Sequence, residues 1–328
     1  MIQLEIKYCP GTLATGFNTY CKACLNRLFN GRKVNHILPY ESPSTNDVHK
    51  DLYNANHKRN SISGVQEKFS IILDKNKLRL INEGERGTHI LKPIPTVNKN
   101  VDLMPANEHL TMQIARQVFN IETAENAIIF FKNGDPGYIT KRFDIDNDGK
   151  KLAVEDFASL SGRTSQTHGE HYKYQGSYLE LFELMKKRLP IYGIEAPKLF
   201  KLLLFNFLFS NGDAHFKNFS ILETDHGDFR LSPAYDLLNT QMHINDSDFA
   251  LDEGLLPKNK SVGKILNQFK TLSQEAGLQN AHTDKIISDM LSKNDQVKLM
   301  IGKSFLSESG KRNYLQTYQA KLKRMSKT

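Results

Sequence analysis

LLLFNFLFSNGDAHFKN, residues 202–218, joins two stretches of opposite character. LLLFNFLF (202–209) is one of the most apolar runs in the chain. NGDAHFKN (211–218) holds an acid, a histidine, a lysine and two asparagines. The longer run PKLFKLLLFNFLFS predicts a helix that is apolar on nearly all sides and is therefore buried. A buried helix is a rigid base for the loop at its end. In that loop Asp213 and Asn218 stand five apart, D-x-x-x-x-N. Phosphoryl transfer asks a protein for positioning and charge neutralisation more than for covalent work. Kinase catalytic loops use this spacing to set a proton acceptor and a Mg²⁺ ligand.

The residues after the loop supply a second metal ligand. NFSILE and FRLSP read as two strands joined by the turn DHGD, and the returning strand leads to Asp236 in AYDLL. An acid returned by a short hairpin is where a kinase places its other metal-binding carboxylate. D-x-x-x-x-N alone is common and reads equally as a turn after a helix; the hairpin and Asp236 are what favour the catalytic reading.

Upstream, KFSIILD (68–74) and KLRLIN (77–82) flank Lys75-Asn76 and predict a hairpin. THILKP (88–93), NAIIFF (126–131) and GYITKRFD (137–144) read as further strands, the last two around KNGDPG. From Asn107, EHLTMQIARQVF has helical spacing, with Pro105 suited to a first turn. Lys92 closes one strand and Glu108 opens the helix, so the two can form an ion pair that presents the lysine to phosphates. SISGVQEK (61–68) is a candidate phosphate loop with a single glycine. YITKRFD reads as a connector between lobes, with Phe143 available to pack on a base. After Asp144 the pattern turns mainly helical, through EDFASLSG, SYLELFELMKKRL and residues 260–326.

The fold class is therefore α+β: a small β-rich N-lobe and a larger mainly helical C-lobe, a two-lobed protein-kinase-like fold. The expected boundaries are a Cys-containing segment at 1–55, the N-lobe at 56–144 and the C-lobe at 145–328. The 328 residues carry 39% hydrophobic and 24% charged side chains, as a globular protein does. A formal net charge of +8 favours acidic partners. No apolar run is long enough to span a membrane, and the N-terminus lacks the pattern of a secretion signal, so a cytoplasmic location is expected. Cys9, Cys21 and Cys24 with His36 are four zinc-competent side chains, but only one close pair exists. Free thiols are the simpler reading.

SISGVQEK, HILKP, NEHL, KRFD, EDFASLSG, NGDAHFKNFSI and LSPAYDLL occur in that order, and the set resembles the HipA-like serine/threonine kinases of bacterial toxin–antitoxin systems over about residues 61–325. The resemblance implies ATP and Mg²⁺ as cofactors. It implies Asp213 as the catalytic acceptor, Asn218 and Asp236 as metal ligands, and Lys92 on the ATP phosphates. It places Ser63, Gly64, Val65, Gln66, Glu67 and Lys68 in the phosphate loop, Lys141, Arg142 and Phe143 beside adenine, and His215, Lys217 and Tyr235 at the nucleotide. Only about 60 residues precede the loop, which is similar to the short HipT-like members rather than the long form. Lys141 departs from the long form, which has an acid there. The implied partners are a HipB-like antitoxin, a small HipS-like subunit, a protein substrate such as an aminoacyl-tRNA synthetase, and DNA only through an antitoxin complex. Ser61 and Ser63 are the implied autophosphorylation sites, where added negative charge would repel nucleotide. Two other readings stay open on the residues alone: a small-molecule phosphotransferase, and a non-catalytic nucleotide-sensing regulator with a basic surface.

Overall fold

The computed structural model describes residues 6–43, 67–96, 99–146 and 148–326. Ser61, Ser63, Gly64, Val65 and Gln66 lie outside the described residues, as does most of the stretch between the cysteines and the first strand. The chain divides into two compact units. The first takes in Met1–Gln113, Ala124–Phe143 and Leu299–Lys311; the second takes in Ile114–Thr123, Asp144–Lys298 and Arg312–Thr328.

The first unit is built on an antiparallel sheet of β1 (Phe69–Asp74), β2 (Lys77–Leu80), β3 (His89–Lys92), β4 (Asn126–Phe130) and β5 (Pro136–Lys141). Their order is β2-β1-β3-β5-β4. Asp74 pairs with Lys77, which leaves the expected two-residue turn, and Lys75 takes the positive φ of 53° that such a turn requires. Residues 6–43 of the Cys-containing segment contain a helix, α1 (Lys22–Phe29). They share one core with the sheet: Cys9, Tyr20, Cys21, Cys24, Leu28 and Phe29 pack with Phe69, Ile71, Leu91, Ala127 and Ile139. They also cover the edge strand β4, whose Phe130 N–H donates to His36 O at 2.8 Å while its Ile128 N–H donates to Pro10 O at 2.8 Å. An edge satisfied in this way is closed to other strands.

Helix α2 (Met104–Gln117) begins three residues before the expected start, with Pro105 inside its first turn. It is buried along most of its length although it carries several polar residues. Those residues find partners inside: Gln113 donates to Asn126 Oδ1 at 2.9 Å, and Thr111 to Asn107 O at 2.9 Å.

The second unit holds a three-stranded sheet, β6 (Val154–Asp156), β7 (Ser220–Glu223) and β8 (Phe229–Leu231), with β7 in the centre. EDFASLSG makes one helical turn, α3 (Phe157–Leu160), started by Asp156 Oδ1 accepting from Ser159 N–H at 2.9 Å. Helices α4 (Ser165–His168) and α5 (Leu179–Arg188) precede the apolar helix α6 (Tyr192–Leu208). This last helix starts five residues before Pro197, so the proline lies inside it rather than at its entry. Leu199, Phe200 and all of Leu202–Phe209 are buried. Each fully buried phenylalanine among them contributes about 2 kcal/mol of burial free energy. Phe205 stacks on Phe209 at 4.3 Å, and Phe209 on Tyr318 at 4.8 Å. Tyr318 belongs to the last of four further helices, α7 (Ile265–Glu275), α8 (Asn280–Leu291), α9 (Asn294–Lys303) and α10 (Glu308–Ser326). Among the described residues no helix is long and apolar enough to cross a membrane.

Candidate active site

The end of α6 fixes the loop that follows it. Ser210 turns the chain with a φ of 54°. Thr240 then grips the turn twice: its hydroxyl donates to Ser210 O at 2.9 Å and accepts from Gly212 N–H at 2.9 Å. A Cβ at Gly212 would come within 2.6 Å of Ser247 O, so the close approach requires glycine. Asn206 is the one polar residue in the buried run Leu202–Phe209. Its Oδ1 accepts from Asn211 at 3.1 Å, and the same Asn211 amide reaches Asp236 O at 3.4 Å. This one side chain thus ties the loop after α6, through Asn211, to the residue returned by the hairpin.

Asp213 is half-buried, and its Oδ1 accepts from the Tyr174 hydroxyl at 2.9 Å. Burial raises its pKa above the ordinary carboxylate value, and the nearby Asp246 and Asp236 add to this; the Tyr174 bond and Lys173 oppose it. His215 is buried with its pKa lowered to about 3, first by burial and then by Lys173, so it is neutral. Its Nδ1 has no partner among the described residues, and its ring meets Tyr174 edge-on at 5.1 Å. The loop backbone is closed by Asn218 N–H donating to His215 O at 2.9 Å and by the Tyr178 hydroxyl donating to Ala214 O at 2.7 Å.

The expected hairpin is present, with Ile221 opposite Leu231 and Glu223 opposite Phe229. It returns the chain to Tyr235, whose hydroxyl donates to Lys217 O at 2.9 Å and contacts Ser220 Oγ at 2.6 Å. Tyr235 therefore locks the two ends of the hairpin together. Asp236 holds a φ of 54°, a strained conformation for a residue with a Cβ, of the kind that collects at functional sites. Asn218 and Asp236 bring a carboxamide and a carboxylate to this end of the hairpin, a hard-oxygen pair that suits Mg²⁺. The half-buried Asn218 carboxamide makes no hydrogen bond among the described residues, so the donor set fits the ion. No group of three or more His, Cys, Asp or Glu among the described residues is arranged to hold a metal. Two protein ligands completed by phosphate oxygens is the arrangement magnesium commonly adopts.

In the first unit, Lys92 Nζ donates to Glu108 Oε1 at 2.6 Å, with the side chains only 6% and 3% exposed. The same ammonium lies 5.3 Å from the Tyr138 ring centroid. Glu67, Lys68, Arg142 and Phe143 are partly buried in the same unit. Lys141 donates to Asn30 Oδ1 at 2.7 Å, so its ammonium is engaged by the end of α1. The three cysteines are buried and unlinked. The neighbouring Cys24 pushes the Cys9 thiol down, while Cys9 and burial push the Cys24 thiol up. His36 is turned to Thr19, 3.0 Å from its hydroxyl.

Sequence reading anticipated the hairpin that leads to Asp236. It missed Tyr174, Thr240 and the Asn206–Asn211 link. Tyr174 is 39 residues from Asp213, and no spacing rule connects them.

A β-sheet lobe, a helical lobe, and an acid–asparagine loop followed by a hairpin acid define a two-lobed protein-kinase-like protein. The family model for the HipA-like C-terminal domain matches residues 60–297, and the chain belongs to that family. A Haemophilus influenzae protein named "Putative kinase" is 23% identical over 283 residues, 80% of each chain. Sinorhizobium fredii "Putative kinase Y4mE" is 32% identical over 193 residues, 56% of this chain and 43% of the relative. Among solved structures, HipA from the Shewanella oneidensis HipA, HipB and operator DNA complex gives a TM-score of 0.62 at 22% identity, over 81% of this chain and 65% of that one. The Helicobacter pylori proinflammatory kinase CtkA gives 0.52 at 12% identity, over 77% of this chain and 92% of that one. These two likenesses bear on the fold. The chain thus spans less than two thirds of the Shewanella protein and less than half of the Sinorhizobium one.

Proposed function

We propose that this chain is an ATP- and Mg²⁺-dependent protein serine/threonine kinase that acts as the toxin of a bacterial toxin–antitoxin pair. The observation that carries the reading is the built loop: Asp213 on a latched turn, Asn218 half-buried five residues on, and Asp236 held at a strained φ and tied back to the loop. Asp213 takes the proton of the acceptor hydroxyl. Asn218 and Asp236 would hold magnesium, which when bound neutralises the phosphate oxygens. Lys92, oriented by Glu108, engages the nucleotide phosphates. His215, neutral and with Nδ1 unpartnered among the described residues, serves the nucleotide as a hydrogen-bonding group rather than as a charge. Glu67, Lys68, Lys217 and the Lys141–Phe143 stretch complete the nucleotide contacts in this reading, with Ser63 to Gln66 as the phosphate loop. Tyr235 contributes by clamping the hairpin.

The family relationship supports the partners: a HipB-like antitoxin, a small HipS-like subunit, DNA reached through the antitoxin complex, and a protein of the translation apparatus as substrate. Ser61 and Ser63 are proposed as sites of inhibitory autophosphorylation. Incubation with γ-labelled ATP, Mg²⁺ and a bacterial lysate tests the reading. Label is expected on serine or threonine of one or a few lysate proteins and on Ser61 or Ser63. Label confined to small molecules would replace the protein-kinase reading with the small-molecule one.

A further inference from the structure

Asp213 has two carboxylate oxygens, and one of them is already taken. The Tyr174 hydroxyl donates to Oδ1 at 2.9 Å. Tyr174 closes a short 3₁₀ turn, Tyr172–Tyr174, which several contacts anchor. Its own carbonyl accepts the Asp252 N–H at 2.9 Å. The next carbonyl, of Gln175, accepts from Arg163 at 2.6 Å, and Gly176 N–H donates to Asp252 Oδ1 at 2.8 Å. Arg163 is itself held by Glu180 at 2.5 Å and lies 4.7 Å over the ring of Phe216, inside the catalytic loop. The Tyr174 ring meets His215 edge-on, and the Lys173 ammonium lies 4.9 Å from its centroid. Backbone, ring and hydroxyl are all constrained, so the phenol is aimed at the acid by the fold.

We infer that Tyr174 is a positioning residue for phosphoryl transfer: by occupying Oδ1 it fixes the plane of the Asp213 carboxylate and leaves Oδ2 as the oxygen that meets the acceptor hydroxyl. The inference rests on the reading of Asp213 as the proton acceptor. A carboxylate free to turn about its last bond presents two faces and two oxygens to the substrate; one oxygen held by a fixed donor removes that freedom. In the step, the acceptor O–H gives its proton to Oδ2 and the acceptor oxygen bonds to the γ-phosphorus. The bond from that phosphorus to the bridging oxygen breaks, and ADP leaves with the electron pair. The Tyr174 proton stays on Tyr174, whose ionisation is opposed by burial and by the Asp213 charge beside it.

Tyr174→Phe removes the hydroxyl and keeps the ring. With a lysate protein that the wild type labels as acceptor, kcat is expected to fall about 10- to 100-fold. The KM for ATP and the rise in Tm produced by Mg-ATP are expected to stay within about twofold of wild type, which a merely structural defect would not allow. The idea is overturned if kcat is unchanged, or if ATP binding is lost in parallel with kcat. Asp213→Asn, assayed alongside, separates the two claims. If Asp213→Asn is inactive while Tyr174→Phe is fully active, only the positioning role fails. If Asp213→Asn transfers phosphate as wild type does, the assignment of Asp213 fails first.

Discussion

Lys92 and Glu108 sit 2.6 Å apart with almost no exposure, and such a pair is a poor way to gain stability. Withdrawing both charges from water costs about as much as their attraction returns, while removing one partner deprives the other of this buried countercharge. Lys92→Ala is therefore expected to destabilise the protein by about 3–5 kcal/mol, and Lys92→Met with Glu108→Leu by much less. Urea unfolding of the two variants checks this; equal losses in both would contradict it. A costly pair that stabilises little is best explained by what it holds in place, here a lysine ammonium. Candidate residues of this kind can be nominated from sequence where they lie on one continuous motif. Asp213 and Asn218 follow from a five-residue spacing, and Asp236 from a hairpin that brings it back. Tyr174 was not readable, because its contact depends on how a separate turn is anchored by Asp252 and Arg163. Nor was the engagement of Lys141 by Asn30, a residue 111 positions away.

At the scale of elements, the site depends on a helix end more than on any one side chain. Gly212 and Thr240 hold the turn after α6, and Asn206 ties it to Asp236. Gly212→Ala pushes a methyl toward Ser247 O and the Asp246 carboxylate, so the turn must move. A displacement of about 1 Å there is expected to lower kcat roughly 100-fold. The melting temperature should drop only modestly, because the helix core is untouched. Wild-type turnover in this variant would show that the turn tolerates displacement. The apolar run made α6 visible in the sequence, but its start was hidden. Pro197 reads as a first-turn residue, yet the helix runs through it. The extra turn carries Glu195, buried, with its carboxylate accepting from Leu231 N–H at 3.2 Å and from Lys198 at 2.6 Å. An acid that anchors a strand to a helix looks, in sequence, like a solvated one.

At the scale of the whole molecule, His89, His109 and His215 are among the described histidines kept neutral by burial. His89 and His109 have pKa values lowered from 6.5 to about 4, and His215 to about 3. The unfolded chain binds these protons more readily than the folded one, so the native state is favoured above pH 6.5 and loses ground as pH falls toward 4. At pH 5 each histidine is expected to weaken the fold by on the order of 1–2 kcal/mol. The urea midpoint should therefore fall between pH 7 and pH 5, less steeply in His89→Gln, whereas a flat midpoint would contradict the buried neutral state. The order of most strands and helices was legible from period and turn chemistry, but α1, β6 and α4 were not. The place of residues 6–43 was not, because their bonds to β4 are backbone bonds that no side-chain pattern announces. The central claim is that Asp213 takes the proton in transfer of a phosphoryl group to a protein hydroxyl. It is tested most directly by comparing wild type and Asp213→Asn for transfer of label from γ-labelled ATP to protein serine and threonine, with Mg-ATP binding measured on the same samples. A fall of about 10³-fold in transfer with binding retained is predicted. Transfer by Asp213→Asn at the wild-type rate would contradict the account.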